Sequence, residues 1–128
     1  MKVLDSTFLI DWLDGVESTK NMVSENEILF TTQINMFELI RGFFIRKIPD
    51  EKWLKIMRTF FNLKVLQLND DAVVLSANIF TELMKKGHII PDNDILIAGI
   101  SLSYGANKIV TSNIKHFENI KGLEVVEY

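Results

Sequence analysis

Short runs of strand-forming residues alternate with segments of helical spacing along this chain. The runs are only a few residues long, and all but the last are followed by a helical pattern or a turn. Short strands that are joined by helices form a parallel sheet with both faces covered. We therefore predict an α/β fold: a short, mostly parallel five-stranded sheet flanked by helices on both faces. The predicted strands are 2–4, 28–30, 64–66, 108–110 and 124–126.

The size of the chain and its unbroken pattern indicate a single domain. No linker, repeat or low-complexity tract interrupts the sequence, and 128 residues with 48% hydrophobic content can bury a full core. Residues 72, 75, 79 and 83 are apolar, with the 3, 4, 4 spacing of a buried helical stripe. We expect one domain, residues 1–128.

Composition excludes several classes of function. The chain has no cysteine, which removes disulfides, thiolate zinc sites and a cysteine nucleophile. Its net charge of −3 lacks the basic footprint of a duplex-DNA binder, so any contact with nucleic acid must be local. No apolar run is long enough to span a membrane, and we expect a soluble, cytoplasmic protein.

An acid, Asp5, ends the first predicted strand and is followed by Ser6 and Thr7. In open parallel sheets, ligands bind outside the carboxyl ends of the strands, which is where Asp5 falls. The alternative is structural, because Asp, Ser and Thr all serve as N-caps at a helix start. On these residues alone, the two interpretations stand about even.

A second acid, Glu38, lies within an apolar helical segment, so we expect most of that helix to be buried. A buried carboxylate needs a reason. Asn35 and Gly42 lie on the same helix face as Glu38. The small Gly42 leaves space beside the carboxylate, and Asn35 provides a polar neighbour. The alternative is a surface pair between Glu38 and Arg41.

The third acidic stretch follows Pro91 and contains Asp92 and Asp94. Pro91 bars helix before it, Asp92 or Asn93 can cap, and Asp94 enters the first turn, where the helix dipole favours a carboxylate. Both acids could be plain start signals. For Asp92 we favour that interpretation.

Four segments in this order are recognisable as a set: VLDSTFLIDWL, ELIRG, NDILIAG and IVTSNIKHFENIKGLEVVEY. Together they resemble the PIN-domain ribonucleases, and within them the VapC-type toxins of toxin–antitoxin pairs, over essentially the whole chain. The resemblance implies that Asp5, Glu38 and Asp94 are the first three members of an acidic metal-binding quartet. The family hydroxyl beside the first acid falls on Ser6 or Thr7.

The fourth position departs from the family pattern. Many relatives place an acid at the position of Asn113, of His116, or of both, whereas this chain has neither. Asn113 can still offer a carbonyl oxygen, and His116 can form a hydrogen bond or ligate a softer ion. We count Thr111, Asn113 and His116 as candidates around the ligand set, and the missing acid puts a second metal in question.

Three carboxylates without cysteine make an all-oxygen site that suits Mg²⁺ or Mn²⁺. Such a metal can activate water to hydrolyse RNA, and the resemblance implies products with a 3′-hydroxyl and a 5′-phosphate. Arg41 and Arg46 are the candidates for RNA phosphate contacts. The resemblance further implies a homodimer and a VapB-like antitoxin whose peptide lies over the helices near Trp12, Phe43 and Phe44. The adjacent phenylalanines are otherwise explained as core.

Three functions remain open at this stage. The first is a metal-dependent endoribonuclease that is the toxin of a type II toxin–antitoxin system. The second is a PIN-like module that binds without catalysis. A PIN nuclease of RNA processing that has no antitoxin is a variant of the first. The third is a phosphate-receiver domain, which the sequence disfavours because no acid follows the strand at 64–66.

Overall fold

The computed structural model describes residues 1–128 and contains five strands and seven helices. The strands are β1 (Lys2–Leu4), β2 (Phe30–Thr32), β3 (Lys64–Leu66), β4 (Lys108–Val110) and β5 (Glu124–Val126). The helices are α1 (Ser6–Leu13), α2 (Glu17–Lys20), α3 (Gln33–Arg46), α4 (Asp50–Asn62), α5 (Asp70–Lys85), α6 (Asp92–Ser103) and α7 (Ile114–Phe117). None of the helices combines the length and the apolar character that crossing a bilayer requires.

All five strands belong to one sheet in the order β3-β2-β1-β4-β5, and every neighbouring pair is parallel. The predicted α/β fold is confirmed, with a sheet that is parallel throughout. The chain builds outward from β1 in one direction through β2 and β3, and in the other through β4 and β5. The carboxyl ends of β1 and β4 therefore form the switch point where doubly wound sheets bind their ligands.

Both faces of the sheet are covered, because side chains alternate along each strand. Leu4 and Val110 belong to a core cluster that includes residues of α1, α3 and α4. Their neighbours Val3 and Ile109 face the other way, into clusters formed with α5 and α6. This arrangement confirms the prediction of helices on both faces.

The second strand lies two residues later than predicted, at Phe30–Thr32 rather than 28–30. Ile28 is 62% exposed, whereas Thr31 and Thr32 are fully buried. The Thr31 hydroxyl donates a 2.8 Å hydrogen bond to the Leu4 carbonyl oxygen, which satisfies a polar group inside the sheet. The apolar run ends before this pair of threonines, so it predicted a strand that ended too early.

Helix α3 is less buried than its composition predicts, and the expectation that most of it lies in the core is wrong. Only Asn35 and Leu39 are buried, while Phe44 and Ile45 are 66% and 73% exposed. One face of α3 packs on the sheet, and its other apolar side chains lie at the surface.

Helix α6, which carries Asp94, packs very closely on α5. A Cβ atom placed on Gly99 would lie 2.9 Å from the Ala72 carbonyl oxygen and 3.0 Å from the Ser76 Cβ. Glycine is therefore required at this crossing, and the close contact fixes α6 relative to the sheet.

Candidate active site

Three carboxylates from separate parts of the chain line a single open pocket of about 470 Å³. Asp5 follows β1, Glu38 lies in the middle of α3, and Asp94 lies in the first turn of α6. Asp5 and Asp94 are buried and Glu38 is half-buried. Asp5 and Asp94 are the only buried acidic residues in the molecule, and both line this pocket at the switch point of the sheet.

Asp5 is held by donors on two sides. Its Oδ1 accepts a 2.9 Å hydrogen bond from the Asn35 amide, and its Oδ2 accepts a 2.6 Å hydrogen bond from the Thr111 hydroxyl. Asp5 occupies the N-cap position of α1, but its side chain makes no capping hydrogen bond. The carboxylate is therefore turned away from the helix end, and capping does not explain it.

Threonine hydroxyls tie the loop after β4 to the start of α1. The Thr7 hydroxyl lies 3.2 Å from that of Thr111 and accepts a 3.0 Å hydrogen bond from the Ser112 N–H. The Thr111 hydroxyl also accepts the Asn113 N–H at 2.9 Å. Asn113 itself is exposed and lines the pocket, so its amide group can reach a ligand there.

Glu38 accepts a 2.9 Å hydrogen bond from the Ser6 hydroxyl through its Oε1. Burial raises the pKa of Glu38, and the negative charges of Asp5 and Asp94 raise it further, while the Ser6 hydrogen bond acts in the opposite direction. The predicted alternative, a surface pair with Arg41, does not form. The Arg41 guanidinium instead lies 5.0 Å from the centroid of the Phe37 ring.

Asp94 pairs with His116: the Asp94 Oδ2 and the His116 Nδ1 are 2.6 Å apart. Burial raises the pKa of Asp94, His116 opposes that rise, and the charge of Asp5 adds to it. Thus His116, at one of the positions where a fourth acid was expected, contacts an acid of the pocket. Asp92 is exposed, lies outside the pocket and is the first residue of α6, in agreement with its interpretation as a helix-start signal. The expectation that Asp92 or Asn93 caps the helix is wrong, because Pro91 is the N-cap residue and no side chain forms a capping hydrogen bond.

Basic side chains line the other part of the pocket. Arg41 and Arg46 follow Glu38 along one face of α3, and both line the pocket. Lys52 of α4 joins them in the lining of the pocket. Lys85 and Lys86 lie at the end of α5 and do not contribute to the pocket.

Asn35 is the site residue whose role sequence reasoning missed. It is fully buried, and its amide nitrogen donates to both Asp5 and Ser6, the latter at 3.0 Å. Its amide oxygen accepts from Thr32, with which it forms a capping box at the start of α3. A Thr-x-x-Asn spacing before a helical pattern is the signal that predicts this capping arrangement.

The donor set fits a hard divalent ion that keeps part of its water shell. The pocket offers carboxylate oxygens and an amide, with no thiolate. No group of three or more His, Asp or Glu side chains is arranged for direct ligation of one ion. Mg²⁺ commonly binds through one or two carboxylates and several waters, so an open arrangement of this kind suits it.

Comparison with known proteins agrees with the fold. The family model described as PIN domain matches residues 2–123. The tRNA(fMet)-specific endonuclease VapC of Salmonella typhimurium is 31% identical over 98 residues, covering 76% of this chain and 73% of that protein. Ribonuclease VapC2 of Rickettsia felis is 27% identical over 110 residues, covering 86% and 81%. A solved structure of VapBC2 from Rickettsia felis bound to a DNA fragment from its promoter has a TM-score of 0.89 at 24% identity, covering 99% of this chain and 98% of that one.

The chain therefore belongs to the PIN-domain family. Its relatives within that family are VapC ribonucleases, and the predicted resemblance is confirmed. The receiver-domain hypothesis is wrong. PIN nucleases are generally dependent on divalent metals, which agrees with the all-oxygen donors of the pocket.

Proposed function

We propose that the chain is a metal-dependent endoribonuclease of VapC type that hydrolyses RNA phosphodiester bonds. The observation that carries the proposal is the meeting of Asp5, Glu38 and Asp94 in one pocket at the switch point of the sheet. Burial raises the pKa values of Glu38 and Asp94, and the neighbouring negative charges raise them further, so ionised carboxylates in this pocket oppose folding. A cluster of acidic groups with raised pKa values in a pocket is typical of a functional site.

The residues of the chain hold and orient the three carboxylates. Asn35 and Thr111 fix the two oxygens of Asp5, Ser6 fixes Glu38, and His116 fixes Asp94. Such outer partners set the direction of ligand oxygens and keep them ready for an ion. The carboxylates would hold Mg²⁺ or Mn²⁺.

When bound, the ion supplies positive charge that draws an anionic phosphate to the pocket, and it lowers the pKa of a water for in-line attack. Arg41 and Arg46 would contact neighbouring phosphates of the RNA. Because water and not the 2′-hydroxyl attacks, no cyclic phosphate forms. If the 3′-oxygen is the leaving group, as the PIN family implies, the products are a 3′-hydroxyl and a 5′-phosphate. Preference for RNA must then come from shape and contacts.

Cleavage of total RNA by the purified chain, with Mg²⁺ or Mn²⁺ and with chelator, tests this function. Asp5→Asn, Glu38→Gln and Asp94→Asn should each lower the rate by about tenfold to a hundredfold or more, since loss of outer partners of metal ligands alone has effects of that size. Asp92→Asn is the matched control. It removes an acid two residues from Asp94 that is exposed and outside the pocket, and it should leave the rate unchanged.

The outcomes separate the candidates. A pocket variant that keeps the full rate removes that residue from the site. A chain that binds RNA but cleaves none with either metal supports the alternative, a PIN-like binding module without catalysis.

We also propose that the chain is the toxin of a type II toxin–antitoxin pair and forms a homodimer in the cytoplasm. The VapBC2 complex of Rickettsia felis contains a chain of the same fold, and apolar side chains lie exposed on α3 and α4: Phe44, Ile45, Leu54 and Phe61. Exposed apolar patches of this kind are typical of protein interfaces. The same fold in RNA processing without an antitoxin is the alternative.

A small reading frame directly upstream of the gene, whose product suppresses toxicity and copurifies with the chain, would support the toxin assignment. Absence of any such partner, with cleavage intact, favours RNA processing. Sedimentation of the chain alone distinguishes a dimer from a monomer.

A further inference from the structure

An ion pair lies in the basic part of the pocket. The Lys52 Nζ of α4 lies 3.2 Å from the Asp14 Oδ1 at the end of α1, and both residues line the pocket that contains the three carboxylates. Their side chains are 44% and 49% exposed. Ion pairs with this exposure contribute little stability, so a competing anion can displace Asp14.

The position of Asp14 weakens the pair further. Asp14 is the C-cap residue of α1, where the helix dipole disfavours a negative charge. Lys55 already donates a 2.6 Å hydrogen bond to the Leu13 carbonyl oxygen, so the junction between α1 and α4 does not depend on Lys52. Lys52 can therefore leave Asp14 while the two helices remain joined.

The charge that lines the pocket changes along α3, from acidic at Glu38 to basic at Arg46. Glu38, Arg41, Gly42, Ile45 and Arg46 follow one face of this helix, and all of them line the pocket. Arg46 lies eight residues beyond Glu38, which at the rise of an α-helix places it about 12 Å farther along the axis. A polyanion whose reacting phosphate lies at the acidic end must leave neighbouring phosphates near the basic end.

We propose that Lys52 and Arg46 form a subsite for a backbone phosphate of single-stranded RNA, and that Asp14 occupies Lys52 until the phosphate displaces it. The inference rests on the proposed function and adds two roles to it: Lys52 binds substrate beside Arg46, and Asp14 competes with the substrate. Asp14 thereby lowers the affinity for RNA. Its removal should strengthen binding, a sign of effect that loss of a structural ion pair does not produce.

Fluorescence anisotropy with a short, labelled single-stranded RNA of mixed sequence measures this, with the full chain in chelator so that no cleavage occurs. Asp14→Asn should bind about two- to fivefold more tightly, the range that release of an exposed ion pair supports. Lys52→Ala should bind more weakly and reduce the slope of log affinity against log salt by about 0.7, the value for one lost phosphate contact on a single strand.

A matched control separates the subsite from net charge. Glu82→Gln on α5 breaks another exposed pair, in which Lys85 Nζ lies 3.9 Å from Glu82 Oε1, and it changes the net charge by the same amount as Asp14→Asn. Helix α5 contributes no residue to the pocket, so Glu82→Gln should leave the affinity unchanged. Thermal melts of all variants confirm that each is folded.

The gain from Asp14→Asn must shrink when Lys52→Ala is already present, because no lysine remains to be released. An equal gain in both backgrounds, or an equal gain from Glu82→Gln, would overturn the subsite while leaving the proposed nuclease intact. Unaltered chain that neither binds nor cleaves RNA contradicts both. If Asp14→Asn leaves RNA affinity unchanged and alters only the affinity for a protein partner, the pair belongs to a protein interface and the subsite is rejected.

Discussion

Asn35→Ala should destabilise the chain strongly, although it replaces one small side chain in a helix. Asn35 is fully buried, and its amide is the donor to Asp5 Oδ1 at 2.9 Å. Its removal leaves a buried carboxylate oxygen without its donor. It also removes the acceptor that the Thr32 hydroxyl uses at 2.7 Å.

The magnitude follows from these contacts. A hydrogen bond to a charged group contributes about 1.5–3 kcal/mol and a neutral one about 0.5–1.5 kcal/mol. The better helix propensity of alanine returns about 0.5 kcal/mol. We therefore expect a loss of about 1.5–4 kcal/mol, which is a large part of the stability of an ordinary domain.

Urea denaturation in chelator measures the loss, and the midpoint should fall by roughly 1–2 M. In an Asp5→Asn background the same substitution should cost less, because charge-assisted hydrogen bonds are about twice as strong as neutral ones. A loss below about 1 kcal/mol, outside the range for a charged hydrogen bond, or an equal loss in both backgrounds, would refute the assignment of Asn35 as the support of Asp5.

Three further predictions concern other positions. Burial raises the pKa of Glu38 above its ordinary value of 4.5, so the ionised side chain destabilises the folded chain. This loss of folding stability begins near pH 4.5 and grows as the pH rises through the raised pKa. Metal-free Glu38→Gln should therefore melt above the unaltered chain at neutral pH and lose this advantage below pH 4.5; a lower melting temperature at neutral pH contradicts the reasoning. Lys47 is the only non-glycine residue with positive φ, at 50°, so Lys47→Gly should raise the free energy of unfolding by about 0.5–1 kcal/mol in urea. Gly99→Ala should lower it by about 1–3 kcal/mol, because the new Cβ meets the backbone of Ala72 and the Cβ of Ser76; an unchanged midpoint would show that α5 and α6 can separate.

The sequence predicted those parts of the fold that depend on local pattern. Four strands lie at their predicted residues, because a short apolar run that ends at a turn or at an acid marks a short strand. The position of Asp5 at the carboxyl end of β1 was predictable for the same reason. The second strand was misplaced because Thr31 is buried, and only the neighbouring Leu4 carbonyl makes that burial acceptable.

Contacts between segments that are distant along the chain could not be predicted from the sequence. The pairing of His116 with Asp94, 22 residues apart, depends on how α7 lies against α6. The Asn35 amide reaches Asp5 only because α3 begins directly after β2, next to β1 in the sheet. Likewise, periodicity shows that α3 is apolar but does not show which of its faces has a neighbour, so its exposure was missed.

Calorimetric titration of Mn²⁺ into the metal-free chain tests most directly the claim that Asp5, Glu38 and Asp94 form one metal site. The unaltered chain and the Asp92→Asn control should bind alike, and the three variants Asp5→Asn, Glu38→Gln and Asp94→Asn should each bind at least about tenfold more weakly. Equal affinity in all five proteins, or no binding to the unaltered chain, would contradict the account.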